Sequence, residues 1–384
     1  MLILKARRSK KRRAYIFFVL MSVRSKVLIL SIGYGEGHHA AARALAEELE
    51  RRDCSAKVCD PCAMAHPKIF EFTRMFYHLC VRKLPWLWGV TYAQTDTADW
   101  SLKAHSLILD DVTEQIAQLV NEWSPKVILC TYPLFAHMLD TLSDEGRVRV
   151  PYAVVVTDSI EISRPWMVTK APLIFLPDEH SFRYVSERYA LAPERLLVTG
   201  FPVRGAFAKA RIGRKLPTPE TLRIVYGAYA PLDRVRADLQ ALAASYPLAH
   251  ITVIAGERRT VLSDCAGERI KIIQRTDDMP SLFAESHIYI GKAGAATMFE
   301  AYSSELPVIV NYALPGQEQG NLALLLRDGA GVTASSTSEL MSRLHILLKN
   351  NSAGWLRLVH AMRSANRIGG AVAIVDELEC RFFV

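Results

Sequence analysis

The sequence predicts an α/β protein made of two doubly wound parallel sheets, each packed between helices, with a cleft between the two halves. Three observations predict it. Twelve short apolar runs, six in each half, alternate with helical stretches along the 384 residues. Runs such as YAVVVT and PVIVNY are apolar without alternation, as parallel strands covered on both faces must be. Residues 201–220, FPVRGAFAKARIGRKLPTPE, are rich in proline, glycine and basic side chains, which marks the join and sets a site in the cleft beside it. A hydrophobic content of 50% supplies a core for two such units.

The expected units are a basic arm over 1–26, a first domain over 27–205 and a second over 206–384 with a closing C-terminal helix. The arm holds nine Lys or Arg and no acid, while the remaining 38 basic residues face 39 acidic ones, so that beyond the arm the chain sums to −1. Its apolar stretch AYIFFVLM is far shorter than the roughly 20 residues of a membrane span, and no small-residue cleavage site follows it. Two readings stand for the arm: a peripheral membrane anchor combining charge with a short apolar plug, or a start at Met21 with residues 1–20 absent from the mature protein.

The first strand, KVLILSI, runs into the turn of SIGYGEGHHAAARALAEEL (31–49). Gly33, Gly35 and Gly37 alternate there before a helix that carries His38 and His39 in its first turn. The spacing is not G-x-G-x-x-G, and no acidic residue completes a dinucleotide fingerprint in the expected place, which argues against an NAD site. His38 falls at the C-terminal edge of a parallel sheet, where open α/β sheets place ligands. Next comes SAKVCD. Cys54, Cys59 and Cys62 on and after it are spaced as in some iron–sulfur proteins but lack a fourth ligand nearby, and the seven scattered cysteines point to a reducing compartment. In residues 66–90, Phe70, Phe72, Phe76, Tyr77, Trp86 and Trp88 interleave with Lys68, Arg74, Arg82 and Lys83. This is the pattern of a bilayer-facing surface or of a buried helix with a solvated basic edge. PKVILCTY, PYAVVVTD (ending in Asp158), APLIFLPD and RLLVTGFP complete the first set of strands.

The second set is LRIVYGAY, HITVIAGE, IKIIQR, HIYIGKAG, LPVIVNY and AGVTA. Within residues 291–321, Gly291, Ala293, Gly294, Ala295 and Ala296 form a small-residue loop after HIYI, and Thr297 is expected to open a helix carrying Glu300. Backbone N–H groups at such a helix start suit a diphosphate, and Glu300 is placed to accept hydrogen bonds from ribose hydroxyls. Gln317, Glu318 and Asn321 follow a strand end, a set able to bind several hexose hydroxyls together.

GYGEGHHAAA, GKAGAATMFEA and NYALPGQEQGN resemble the motifs of the GT-B glycosyltransferases that include monogalactosyldiacylglycerol synthases and processive diacylglycerol glucosyltransferases. KLPWLWGVTYAQT is similar to that family's Pro-x-x-Trp-Gly-x-x-Tyr segment and adds Tyr92 to the acceptor side. VVVTDSIEISRPW and VTGFPV also match, so the likeness spans nearly the whole chain. It implies a hexose moved from a UDP-sugar, UDP-glucose or UDP-galactose, to a lipid such as diacylglycerol. Inversion at the anomeric carbon, no cofactor or catalytic metal, no nucleic-acid partner, and a peripheral position on the cytoplasmic face of the cell membrane are implied with it. The donor set is then Gly35, Gly37, Gly256, Gly294, Ala295, Ala296, Thr297, Glu300, Gln317, Glu318 and Asn321. His38 becomes the base that takes the acceptor's proton, its ring kept neutral by the helix N-terminus. Asp158 is the rival base or its orienting partner, and His39, about 100° around the helix, is structural. Two departures stand out: Ser163 and Arg164 occupy the place of the family's usual histidine, and YGAYAP replaces a glycine-rich turn. The competing readings are an N-acetylglucosaminyltransferase acting on a peptidoglycan lipid intermediate and a non-catalytic relative that binds nucleotide sugar or membrane.

Overall fold

The structure is a computed structural model that describes residues 24–33, 36–83, 107–211, 213–314 and 318–383, with backbone alone for 36, 77–83 and 107. Twelve strands form where the twelve apolar runs lie. β1 (Lys26–Leu30), β2 (Ser55–Cys59), β3 (Val127–Cys130), β4 (Tyr152–Val155), β5 (Leu173–Leu176) and β6 (Leu196–Val198) make one sheet in the order β2-β1-β3-β4-β5-β6. β7 (Arg223–Gly227), β8 (His250–Ile254), β9 (Ile270–Ile273), β10 (Ile288–Lys292), β11 (Val308–Tyr312) and β12 (Gly331–Thr333) make the other in the order β12-β11-β10-β7-β8-β9. Every strand pairing among the described residues is parallel. The unalternating runs are central strands, and β3, β4 and β5 are buried at every residue.

The helices of the first unit are α1 (Glu36–Arg51), α2 (Pro61–Ala65), α3 (Pro67–Lys83), α4 (Leu107–Trp123), α5 (Pro133–Asp144) and α6 (Glu179–Arg188). Local chemistry sets their starts: Asp60 caps α2 through the Ala63 N–H, Asp178 caps α6 through the N–H groups of His180 and Ser181, and proline opens α2 and α5. The second unit carries α7 (Gly205–Lys209), α8 (Leu232–Ser245), α9 (Met279–Ala284), α10 (Ala295–Ser304), α11 (Gln319–Arg327) and α12 (Thr337–Ala365), the last interrupted by non-helical residues Lys349 to Ser352.

The final helix, α13 (Gly370–Phe382), crosses back. Its Ala371, Ile374, Val375 and Leu378 join the core of Val27, Ile29, Leu45 and Leu49, and Arg52 of the first unit pairs with its Asp376 and Glu379 at 2.5 and 2.9 Å. Gly370 is required at the crossing, since a methyl there would lie 2.3 Å from the carbonyl oxygen of Phe201.

Strand order locates the ligand crevices. The chain reverses its direction of winding between β1 and β3 in the first sheet and between β7 and β10 in the second, and ligands bind beyond the carboxyl ends of strands at such points. The first switch point lies beneath the Gly33 turn and Thr131. The second lies beneath Tyr229 and the Lys292–Gly294 loop. The two face each other because α1 packs on α10 across the cleft, with Ala40 and Ala41 in one cluster with Ala296, Met298 and Phe299.

Candidate active site

On the first side of the cleft, β1 ends in the turn that delivers α1, with His38 in its third position. The His38 Nδ1 lies 2.8 Å from the carbonyl oxygen of Thr131 and 2.8 Å from the Thr157 hydroxyl. A carbonyl can only accept, so Nδ1 carries the proton and Nε2 keeps its lone pair. The ring sits edge-on to Tyr132, with centroids 5.1 Å apart, and 6.1 Å from Trp166. Burial, partly opposed by the Thr131 bond, lowers its pKa to about 4. The ring is neutral at physiological pH, and desolvation is the chief cause.

Asp158, at the end of β4, accepts a 2.8 Å bond from the Trp166 indole N–H, and burial raises its carboxyl to about 6. Trp166 is thus bonded to the carboxylate and has its ring 6.1 Å from the imidazole. Just beyond, Ile160 is held at φ 60°, a strained conformation for a β-branched residue, and its N–H donates to the Ser181 hydroxyl at 2.7 Å. Ser181 in turn donates to Asp178 at 2.8 Å. His39 turns the other way, its Nδ1 2.8 Å from the Ser31 hydroxyl and its Nε2 against Gly33. Gly37 lies within α1, and Gly35 lies outside the described residues.

On the second side, the helix starts earlier than expected. β10 runs to Lys292, Gly294 is the extended cap, and α10 begins at Ala295 rather than Thr297, because alanine favours the helix interior. The first intrahelical bond is donated by the Met298 N–H, so the N–H groups of Ala295, Ala296 and Thr297 have no intrahelical partner and face the helix start, as a ligand would need. Glu300 follows, half-buried. The Tyr289 phenol is pushed well above its ordinary pKa, first by burial and then by Tyr229, Glu318 and Glu300. Glu318 is buried and already committed: one oxygen meets the Lys292 Nζ at 2.5 Å and the other accepts the Leu314 N–H at 3.0 Å. Asn321 donates to the Ala293 carbonyl at 3.2 Å. Gly256 begins the turn after β8 at φ 56°, and Gln317 lies outside the described residues.

Gly320 closes the cleft. A methyl on it would lie 1.9 Å from the Ser159 carbonyl oxygen, so α11 touches the Asp158 loop backbone to backbone. Arg327, at the far end of the same helix, meets His180 at 3.1 Å.

On α3, Ile69, Phe72, Met75 and Phe76 are 42%, 63%, 62% and 57% exposed, with Lys68 and Arg74 also exposed, while Phe70 packs on the core. The buried-helix alternative fails for this stretch. The side chains of Arg82 and Lys83, and all of Trp86, Trp88 and Tyr92, lie outside the described residues. Among the described residues no helix is long and apolar enough to cross a membrane. Sequence reasoning missed Lys292, Thr131 and Thr157; the signal for each was its position at or just past the carboxyl end of a strand, beside a switch point for Lys292 and Thr131 and one strand further on for Thr157.

Residues 38–203 match the monogalactosyldiacylglycerol (MGDG) synthase family, and residues 232–366 match the glycosyltransferase family 28 C-terminal domain. A processive diacylglycerol beta-glucosyltransferase of Bacillus cereus is 25% identical over 368 residues, covering 92% of this chain and 93% of the relative. Among solved structures, the glycosyltransferase of kitacinnamycin superposes with a TM-score of 0.63 at 13% identity, over 94% of this chain and 100% of that one. A UDP-GlcNAc 2-epimerase of Neisseria meningitidis, bound to UDP-GlcNAc, does so with a TM-score of 0.57 at 13% identity, over 93% and 100%. These structures establish the GT-B fold alone, and it serves more than one chemistry.

Proposed function

We propose that the chain is a hexosyltransferase that moves a sugar from a UDP-sugar to diacylglycerol at a membrane surface, because residues 38–203 match the MGDG synthase family and residues 232–366 match the family 28 glycosyltransferase C-terminal domain. One observation carries the chemistry: His38 is half-buried, neutral and fixed through Nδ1 by Thr131, with Nε2 as the acceptor, in a helix packed on the one whose N-terminus suits a diphosphate. Nε2 takes the proton of the lipid hydroxyl as its oxygen attacks the anomeric carbon. The bond from that carbon to the diphosphate breaks on the opposite face, the electron pair leaves with UDP, and the configuration inverts. The N–H groups of Ala295 to Thr297 meet the charge that develops on the leaving group, and Glu300 holds the ribose. Asp158 fixes Trp166 against the reacting region.

The exposed apolar face of α3 supports delivery of the acceptor from a bilayer. Phe72, Met75 and Phe76 enter the interface while Lys68 and Arg74 meet anionic head groups. The test is incubation of the full chain with UDP-glucose or UDP-galactose and vesicles containing diacylglycerol, followed by chromatography of the lipid and NMR of the new linkage. A β-linked hexosyl diacylglycerol is expected. Absence of both lipid product and UDP release with every UDP-sugar tried would overturn the proposal.

A further inference from the structure

Resting on the proposed base, we infer that Asp60 is a positioning residue of the reaction: through Gly33, its carboxylate holds the turn that carries His38 to the reacting atoms. The sheet fixes the chain only as far as Ser31, whose N–H donates to the Cys59 carbonyl at 2.9 Å. Beyond it the chain leaves the ladder, and a backbone N–H there must find its partner elsewhere. Gly33 finds Asp60. Its N–H donates to Asp60 Oδ2 at 3.0 Å across 27 residues of sequence, while Oδ1 accepts the Ala63 N–H at 3.0 Å and caps α2. Asp60 follows the end of β2, the strand beside β1, so one carboxylate ties the histidine turn to the helix start of the neighbouring strand.

The same glycine is enclosed on three sides. A methyl on Gly33 would lie 3.2 Å from His39 Nε2, 3.5 Å from Phe70 Cζ and 3.6 Å from Asp60 Oδ2, so α1, α3 and the α2 cap converge on one residue. His39 Nδ1 lies 2.8 Å from the Ser31 hydroxyl, and His39 is the chain neighbour of His38. A displacement of Gly33 is therefore passed to the first turn of α1, where the imidazole sits. Glycine brings no side chain with which to fix itself, so the order of this turn comes from the groups around it. A general base works only within hydrogen-bond reach of the proton it takes, and a misplacement of about 1 Å costs about 10²-fold in rate. The proposed donor site on α10 lies in the other unit, so the loss of Asp60 bears on turnover and not on UDP.

The rival account is that Asp60 only caps α2. Serine and asparagine cap helices as well as aspartate does, but each offers one side-chain oxygen in place of two. Asp60→Ser and Asp60→Asn therefore keep the cap and give up the acceptor for Gly33. The assay is sugar transfer by the full chain to vesicles containing diacylglycerol. Each variant is expected to lose about 10- to 100-fold in kcat, with the KM for both substrates and the melting temperature as in the parent. Because Asp60 acts through His38, adding Asp60→Ser to His38→Ala should cost about twofold or less beyond His38→Ala alone. Parental kcat in both single variants overturns the assignment, as does a full multiplicative loss in the double variant or a loss matched by a lower melting temperature. A His38→Ala variant with parental kcat overturns the base on which the role rests, and a parent chain that transfers no sugar overturns the proposed function itself.

Discussion

Acidification distinguishes the two candidate bases, because their titrations are displaced in opposite directions. His38 is lowered to about 4 and Asp158 is raised to about 6, each chiefly by burial. A base works only when deprotonated, so activity falls as pH drops through its pKa. If His38 is the base, kcat/KM retains about 90% of its value between pH 7 and pH 5 and falls tenfold per unit only below about 4. If Asp158 is the base, the same interval costs about tenfold; a histidine with an unperturbed pKa of about 6.5 would lose about 25-fold. Protonation of Asp158 as a mere partner of Trp166 changes little, since a neutral carboxyl still offers an oxygen to the indole. The assay is UDP release from saturating acceptor in neutral detergent micelles, which hold surface charge constant. His38→Ala, expected to lower kcat by about 10² to 10⁴ with UDP affinity unchanged, is the control. An acid limb centred near pH 6 would refute the assignment and move the role to Asp158.

Three further outcomes follow from the geometry. Glu300→Ala should weaken UDP by about 1.5 to 3 kcal/mol in calorimetry, the worth of a charge-assisted hydrogen bond, and undiminished binding would remove Glu300 from the ribose. Phe72→Ser with Phe76→Ser should reduce sedimentation with anionic vesicles by about tenfold or more while UDP affinity stays constant; equal sedimentation would leave the exposed face of α3 without a lipid role. Gly320→Ala places a methyl against the Ser159 carbonyl, so the cleft must open there; a fall in kcat with little change in UDP affinity is expected, and parental kcat would show that the contact is dispensable.

Much of this architecture is legible in the residues because it is local. The strands read correctly since burial on both faces leaves apolar runs with no alternation, and His38 was visible because a glycine turn and a helix start surround it. The start of α10 was misread by two residues, since Ala295 and Ala296 suit a loop by size and a helix by propensity, and the extended Gly294 decides it. What joins the site is long-range: His38 with Thr131, Asp158 with Trp166, Lys292 with Glu318, Gly320 with Ser159. Glu318 in particular reads from composition as a sugar ligand, and only the fold reveals the lysine that reaches it.

The return of α13 onto the first sheet governs how the protein is made. Ala371, Ile374, Val375 and Leu378 form part of the cover over Val27, Ile29 and Leu45, so α13 must emerge from the ribosome before the first domain can close its core. During synthesis the early half waits with that apolar surface uncovered while the later half folds. A chain severed near residue 205 should therefore yield a sticky, chaperone-dependent N-terminal fragment, and supplying the C-terminal fragment during translation should keep it in solution.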